Sequence, residues 1–184
     1  GSSLVSALRV VERGRLEDIQ VAEVLKSCID DLKLAIDSME PVEADLLLLL
    51  ATLRFRLGSR LESTGITLRW EISDVPTLDW LDPRNALHIL RILQEAFANI
   101  LKHAQANEIR VTTAASDGWV CVGITDNGKG FAVEAALDNG GKGGKGLSNQ
   151  RRRAQAIGGD VTFESSAAGT RLTLRLPVQR TAAV

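Results

Sequence analysis

Apolar residues recur at helical spacing in the first third of the chain, with one interruption. Between residues 16 and 39, the apolar positions mark a single helical face: Ile19, Val24, Leu25, Ile29, Leu32 and Ile36. Pro41 interrupts this pattern, and residues 43–64, EADLLLLLATLRFRLGSRLEST, predict a further helix that ends near Gly65. The first third of the chain is therefore predicted to be helical.

After Gly65 the apolar positions alternate instead. Residues 66–72, ITLRWEI, place an apolar side chain at every second position, which is typical of a strand with one buried face. Residues 83–104, PRNALHILRILQEAFANILKHA, return to helical spacing and predict a long helix. Asp82 suits the N-cap of that helix and Pro83 suits its first turn.

The remaining pattern predicts a hairpin, a helix and two closing strands. EIRVTTAAS and WVCVGITD are joined at Asp117-Gly118, a dipeptide that favours a tight hairpin turn. A helix from about Leu147 to Ile157 and the strands DVTFES and TRLTLRLP follow. Helices gathered against a mixed sheet predict an α/β (α+β) fold, a two-layer sandwich. We expect this domain over residues 41–184 and a helical hairpin over residues 1–40.

Composition narrows the class of protein. Apolar residues make up 45% of the 184, enough for a proper core, and the net charge of −1 gives no reason to expect a nucleic-acid partner. Cys28 and Cys121 lack metal-ligand spacing, so we expect structural thiols in a reducing cytosol. The apolar run from Leu46 to Ala51 is too short to span a membrane. We expect a cytoplasmic fragment that is not membrane-inserted, although a longer parent could be anchored.

Polar residues lie deep in the long helix. Glu95, Asn99, Lys102 and His103 are spaced four and then three or four apart, hence on one face. Asn has a poor helix propensity, so its position between large apolar residues indicates a role other than helix stability. A carboxamide oxygen is a suitable magnesium ligand, and Glu95 could orient or deprotonate a nucleophile. A solubilising surface face would explain the same spacing.

A second polar site follows a predicted buried strand in ITDNGKGF. Burying the Asp126 carboxylate requires a partner, and an exocyclic amine such as that of adenine is a suitable one. Gly128 and Gly130 remove side chains where something approaches the backbone, such as a flat ring. Taken alone, the stretch is also compatible with an ordinary strand-to-turn junction.

A glycine-rich loop leads into the next predicted helix. Five of the seven residues from Gly140 to Gly146 are glycine. A helix N-terminus offers free N–H groups to an anion, and a loop of this composition suits a lid over phosphates. A flexible linker would look the same, and the G-x-x-x-x-G-K-[ST] pattern of a P-loop is missing from the sequence.

Together these three stretches resemble the ATP-binding catalytic domain of sensor histidine kinases, part of the GHKL (Bergerat-fold) group. LQEAFANILKHA resembles the N box of the family, DNGKGF its first glycine box, GGKGLSNQRRRA its second, and GTRLTLRLP its closing strand. Within the group the chain is most similar to the branch of the nitrate sensors and the bacillar thermosensor kinase. The resemblance implies binding of ATP and Mg²⁺, and histidine kinase activity.

Carried over by position, the resemblance assigns a role to each site residue. Asn99 would be the magnesium ligand and Asp126 the hydrogen-bond acceptor for adenine. Thr170 would support adenine binding through Asp126 or a water. The other implied ATP contacts are Gly128 and Gly130 at the adenine, and Lys102, His103, Gly144, Gly146 and Leu147 near the phosphates. Lys142 and Lys145 are phosphate candidates on charge and position alone. Glu95 is the candidate catalytic residue, although this branch places its base beside the phosphoacceptor histidine.

One departure from the family concerns that phosphoacceptor. The family phosphorylates a histidine on the first hairpin helix, whereas this sequence contains only His88 and His103. We expect a chain that starts after the acceptor and does not phosphorylate itself, from a homodimeric kinase with a response-regulator partner. The alternatives are an anti-sigma-factor-type serine kinase and a nucleotide-binding regulatory module without transfer activity.

Overall fold

A computed structural model describes residues 45–62, 65–133, 136 and 145–180. The predicted hairpin over residues 1–40, the start of the second unit, and the lid residues Lys142 and Gly144 lie outside this part of the chain. Predictions about them stay predictions.

Helices and strands follow the order expected from the sequence. Their bounds are α1 Leu46–Glu62, β1 Thr67–Glu71, α2 Pro83–Asn99, a π-helical turn Ile100–Ala104, β2 Glu108–Ser116, β3 Trp119–Asp126, α3 Lys145–Ala156, β4 Asp160–Ser166 and β5 Gly169–Pro177. Two of the differences from the predicted bounds concern the candidate site. The long helix is α-helical only to Asn99, and α3 starts two residues before Leu147.

The strands form one mixed sheet in the order β1-β2-β3-β5-β4. β1 runs parallel to β2, with Thr67 opposite Glu108, and α2 is the crossover between them. The pairs β2–β3, β3–β5 and β4–β5 are antiparallel. The predicted mixed sheet with helices packed on it is confirmed.

The core lies between the helices and one face of the sheet. Every second residue of β3 is buried, as the alternating sequence predicts, while its other residues are half-buried. α2 contributes Ile89 and Phe97, both with no exposed surface, and α1 contributes Leu50 and Leu57. Burial of such side chains is worth about 1.5–3 kcal/mol each, so α2 is anchored firmly beneath the candidate site.

Local signals in the sequence act where they were expected. The Asp82 side chain accepts a hydrogen bond from the Asn85 N–H at 2.7 Å and caps α2. Asp117 and Gly118 both have positive φ, 51° and 78°, as a tight hairpin turn requires. Ile72 departs from its pattern: β1 ends at Glu71, and Ile72 is 38% exposed instead of buried.

Candidate functional site

The carboxylate of Asp126 is buried at the end of β3. Only 4% of the residue is exposed, and Oδ1 accepts a hydrogen bond from the Gly128 N–H at 2.8 Å. Burial raises the pKa of Asp126 above its ordinary 3.8, and backbone hydrogen bonds from Gly128 and Thr170 oppose that rise. Thr170 therefore lies beside Asp126, the position that the family resemblance implied. The carboxylate keeps acceptor capacity beyond these two bonds.

Both glycines after Asp126 lie against the backbone of their own chain. A Cβ on Gly128 would come within 2.1 Å of the Ala104 carbonyl oxygen, and one on Gly130 within 2.0 Å of the Ser166 carbonyl oxygen. The expected close approach is therefore made by the π-helical turn and by the β4–β5 hairpin. These glycines hold three segments of the chain together at Asp126.

A pair of hydroxyl groups supports the same region, and the sequence did not indicate one of them. The Ser165 and Thr170 hydroxyls lie 2.9 Å apart, across the β4–β5 pairing. Ser165 Oγ also accepts a hydrogen bond from the Phe131 N–H at 2.9 Å. Ser165 thus fixes the loop after Gly130, and only the register of the hairpin brings it there.

Asn127 closes the other side of this loop. Its Oδ1 accepts hydrogen bonds from the backbone N–H groups of Asn107 and Glu108, at 3.1 and 3.0 Å. Its Nδ2 donates to Asn107 Oδ1 at 2.7 Å. Asn127 therefore has a structural role, holding the start of β2 against the end of β3.

The polar face of α2 continues into the π-helical turn. Glu95 and Asn99 are half-buried on α2, one turn apart, whereas Lys102 and His103 are exposed in the turn. A π-helical turn has a wider spacing than an α-helix, so the prediction of one continuous α-helical face fails after Asn99. Such turns occur frequently at functional sites.

The turn and the loop after Asp126 are in direct contact. The Lys129 N–H donates to the Ala104 carbonyl oxygen at 2.7 Å, and Gln105 ends the turn with a left-handed φ of 54°. The segment that carries Lys102 and His103 is thus held against the segment that carries Gly128. Two of the three predicted motifs meet in the structure.

The third motif reaches α2 through the start of α3. A Cβ on Gly146 would lie 2.6 Å from Glu95 Oε1, so Gly146 packs against the Glu95 carboxylate. Leu147 is buried, and Gln150 Nε2 donates to the Ile92 carbonyl oxygen at 3.0 Å. Lys145 is the first residue of α3.

The side chains available at this site fit a magnesium ion that takes most of its ligands from water and from the phosphate oxygens of a bound molecule. In the described part of the chain, no group of three or more His, Cys, Asp or Glu side chains could hold a metal. The Asn99 carboxamide is half-buried and makes no capping hydrogen bond. Mg²⁺ usually keeps several waters and binds phosphate oxygens, so one amide ligand from the protein is compatible with it.

Comparison with known proteins identifies relatives. A family profile described as "Histidine kinase-, DNA gyrase B-, and HSP90-like ATPase" matches residues 84–180. Sensor protein VraS of Staphylococcus aureus (strain COL) is 35% identical over 94 residues, 50% of this chain and 26% of VraS. Sensor histidine kinase MctS of Rhizobium johnstonii is 31% identical over 156 residues, 84% of this chain and 33% of MctS. The chain thus spans about a quarter to a third of these relatives.

Solved structures show the same fold. The catalytic domain of histidine kinase ThkA matches with a TM-score of 0.62 at 19% identity, covering 77% of this chain and 97% of ThkA. Full-length ShkA in complex with AMPPNP matches with a TM-score of 0.61 at 26% identity, covering 79% of this chain and 32% of ShkA. Among the residues described, no helix is long and apolar enough to cross a membrane.

Proposed function

Because the chain belongs to the histidine kinase-, DNA gyrase B- and HSP90-like ATPase family, we propose that it is the ATP-binding catalytic part of a two-component sensor histidine kinase. Membership of an ATPase family implies ATP binding. The relatives VraS and MctS are sensor proteins, which favours this function over a serine kinase or a regulatory module. The buried carboxylate of Asp126, held between the Gly128 and Thr170 amides, is the observation that carries the proposal.

Asp126 would select the base of the nucleotide. Its carboxylate is fixed by backbone hydrogen bonds but has acceptor capacity left for the exocyclic amine of adenine. Gly128 and Gly130 lock the surrounding segments, and Ser165 joins Thr170 to the loop. This preorganisation lowers the entropy cost of binding, since the acceptor needs no rearrangement.

The phosphates would extend from Asp126 toward α2 and the start of α3. Asn99 would hold Mg²⁺, which when bound neutralises charge on the phosphate oxygens. Lys102 and His103 lie in the neighbouring turn, and both side chains are exposed to solvent, so a ligand could reach them. Lys145, Gly146 and Leu147 begin α3 and would offer N–H groups to the phosphate tail. Gly144 lies outside the described residues and would be a further contact.

Glu95 would act at the reacting end. Its carboxylate lies against Gly146, so the position of Glu95 and the position of the start of α3 are coupled. A carboxylate there could accept the proton of an incoming histidine or orient it. The γ-phosphoryl would pass to a histidine outside this sequence and then to a response regulator, within a homodimeric parent.

Asn99→Ala tests the assignment of the phosphate end. We expect the variant to lose most of the Mg²⁺-dependent part of its ATP affinity, because the one protein ligand is removed. Calorimetric titration with ATP, with and without Mg²⁺, measures this. Equal magnesium dependence in both proteins would contradict the assignment of Asn99.

Transfer can be tested with labelled ATP and a separate hairpin peptide that carries the histidine of the family. We expect label on the peptide, and none on the chain itself. Label on serine residues of an added protein would favour the serine kinase instead. A folded chain that binds ATP but labels no peptide would support the regulatory module.

A further inference from the structure

Basic side chains line the contact between α2 and α3. Arg84, His88 and Arg91 are spaced four and three apart, so they share one face of α2. α3 is fixed beside this face, because the fully buried Gln150 donates to the Ile92 carbonyl. Arg153 follows Gln150 by one turn and therefore faces α2 as well.

Arg180 lies close to the same face. Its Nε donates to the Ile157 carbonyl oxygen at 3.0 Å, and its guanidinium lies 4.2 Å from the Trp80 ring. We call the surface formed by Arg84, His88, Arg91, Arg153 and Arg180 the basic groove.

The electrostatic surroundings of His88 are almost entirely cationic. Burial lowers the pKa of His88 below 6.5, and Arg153, Arg84, Arg91 and Arg180 lower it further. His88 Nδ1 is buried and has no hydrogen-bond partner. Burial, Arg91 and Arg152 lower the pKa of Arg153, and Glu95 is the acidic group that opposes them. Such clustering is unfavourable unless an anion compensates it.

Two other arginines of the domain, by contrast, are paired with acids. On the open face of the sheet, Arg69 pairs with Glu108 at 2.7 Å, and Arg110 pairs with Glu71 at 3.4 Å. Within the described ranges, no acidic side chain forms an ion pair with Arg84, Arg91 or Arg153. Arg84 and Arg91 are exposed and therefore available to an anionic partner.

The chain itself carries an acidic segment of suitable charge. Residues 1–44 hold nine acidic and five basic residues, hence a net −4. Because the whole chain is −1, residues 45–184 carry +3. The negative charge is concentrated in residues 30–43, which contain one lysine and five acids, namely Asp30, Asp31, Asp37, Glu40 and Glu43.

We propose that the basic groove docks the acidic segment formed by residues 30–43 of the same chain. Only two residues separate the segment from α1, so this short tether gives it a high effective concentration at the domain surface. Docked there, the segment lies beside Arg153 and hence near Glu95. The position of residues 1–44 is thereby linked to the candidate site, independently of bound nucleotide.

Hydrogen exchange of the full chain, without nucleotide, tests this docking. In the double variant Arg84→Glu with Arg91→Glu, we expect amides of residues 30–43 to exchange about tenfold faster or more. The matched control, Arg171→Glu with Arg175→Glu, makes the same charge change on exposed positions of β5 and should leave the segment unchanged. Added salt should also speed exchange in the wild type.

Charge reversal of two acids within residues 30–43 tests whether this segment is what binds the basic groove. Asp37→Arg with Glu40→Arg should cause the same loss of protection, and combining it with the groove variant should restore most of it. Equal amide exchange rates of residues 30–43 in the wild type and in the groove variant would overturn the proposal. So would protection that rises with protein concentration, because it would assign the groove to a second copy. Neither result bears on ATP binding, which calorimetry measures separately.

Discussion

At the level of single residues, Asp126 combines burial with a charge that the proposed function requires. Because burial raises the folded-state pKa, the ionised carboxylate costs stability at neutral pH. We expect Asp126→Asn to unfold at a higher temperature than the wild type at pH 7–8. The stabilising contribution of protonation is fully present below the ordinary value of 3.8 and is lost as pH rises through the folded pKa. The advantage of the variant should therefore shrink on acidification.

Urea denaturation of both proteins, at pH 7–8 and at several lower pH values, measures the difference in unfolding free energy. The m-values are compared to confirm that both proteins unfold in the same transition. A wild type that loses stability relative to the variant as pH falls would contradict this account. That outcome would mean that the amides of Gly128 and Thr170 outweigh burial.

Gly128 is required by the chain itself. In Gly128→Ala the new Cβ meets the Ala104 carbonyl, a backbone atom, so we expect a loss of about 2 kcal/mol or more in unfolding free energy. Gly58→Ala is the control, since it lies inside α1 with open space around it and should add up to about 1 kcal/mol. Thermal denaturation measures both, and equal effects would refute the packing role of Gly128.

The sequence predicted those residues whose role depends on near neighbours. Asp82 caps a helix that starts beside it, and Asp117-Gly118 turns between adjacent strands. The contacts of Gly128 and Gly130 could not be predicted, because Ala104 and Ser166 reach them only through tertiary packing.

At the scale of elements, α3 is joined to α2 through one imperfect buried contact. Gln150 donates to the Ile92 carbonyl, but its Oε1 is buried without a partner. We expect Gln150→Met to leave stability unchanged or raise it by about 0.5–1 kcal/mol, because the unpaired oxygen disappears. Chemical denaturation checks this.

A contrasting substitution, Gln150→Glu, should be destabilising, because it places a charge in the same buried position. A methionine variant that is more than about 1 kcal/mol less stable than the wild type would show that the hydrogen bond to Ile92 outweighs the unpaired oxygen.

Helices and strands were predictable because their periods of burial differ, and the order of elements followed. The π-helical turn could not be predicted, because the apolar spacing near Asn99 is also compatible with a continuous α-helix. Its consequence is local. Lys102 and His103 leave the α-helical face, and the turn that carries them contacts the loop of Gly128 through Ala104.

At the scale of the whole molecule, three motifs that are separate in the sequence are brought into contact. Their order in the sequence indicated the fold, and the packing of β3, α2 and α3 brings Asp126, Asn99 and Gly146 into neighbouring segments. The basic groove was not predictable. Arg84 and Arg91 read as ordinary surface residues until the packing of α3 sets Arg153 beside them.

The central claim is that Asp126 reads the exocyclic amine of adenine, and one titration experiment addresses it directly. ATP is compared with inosine triphosphate, which has a carbonyl oxygen in place of that amine, on wild type and Asp126→Asn. We predict that the wild type binds ATP at least about tenfold more tightly, and that the variant loses this preference. Equal affinity of the folded wild type for both nucleotides would contradict the account.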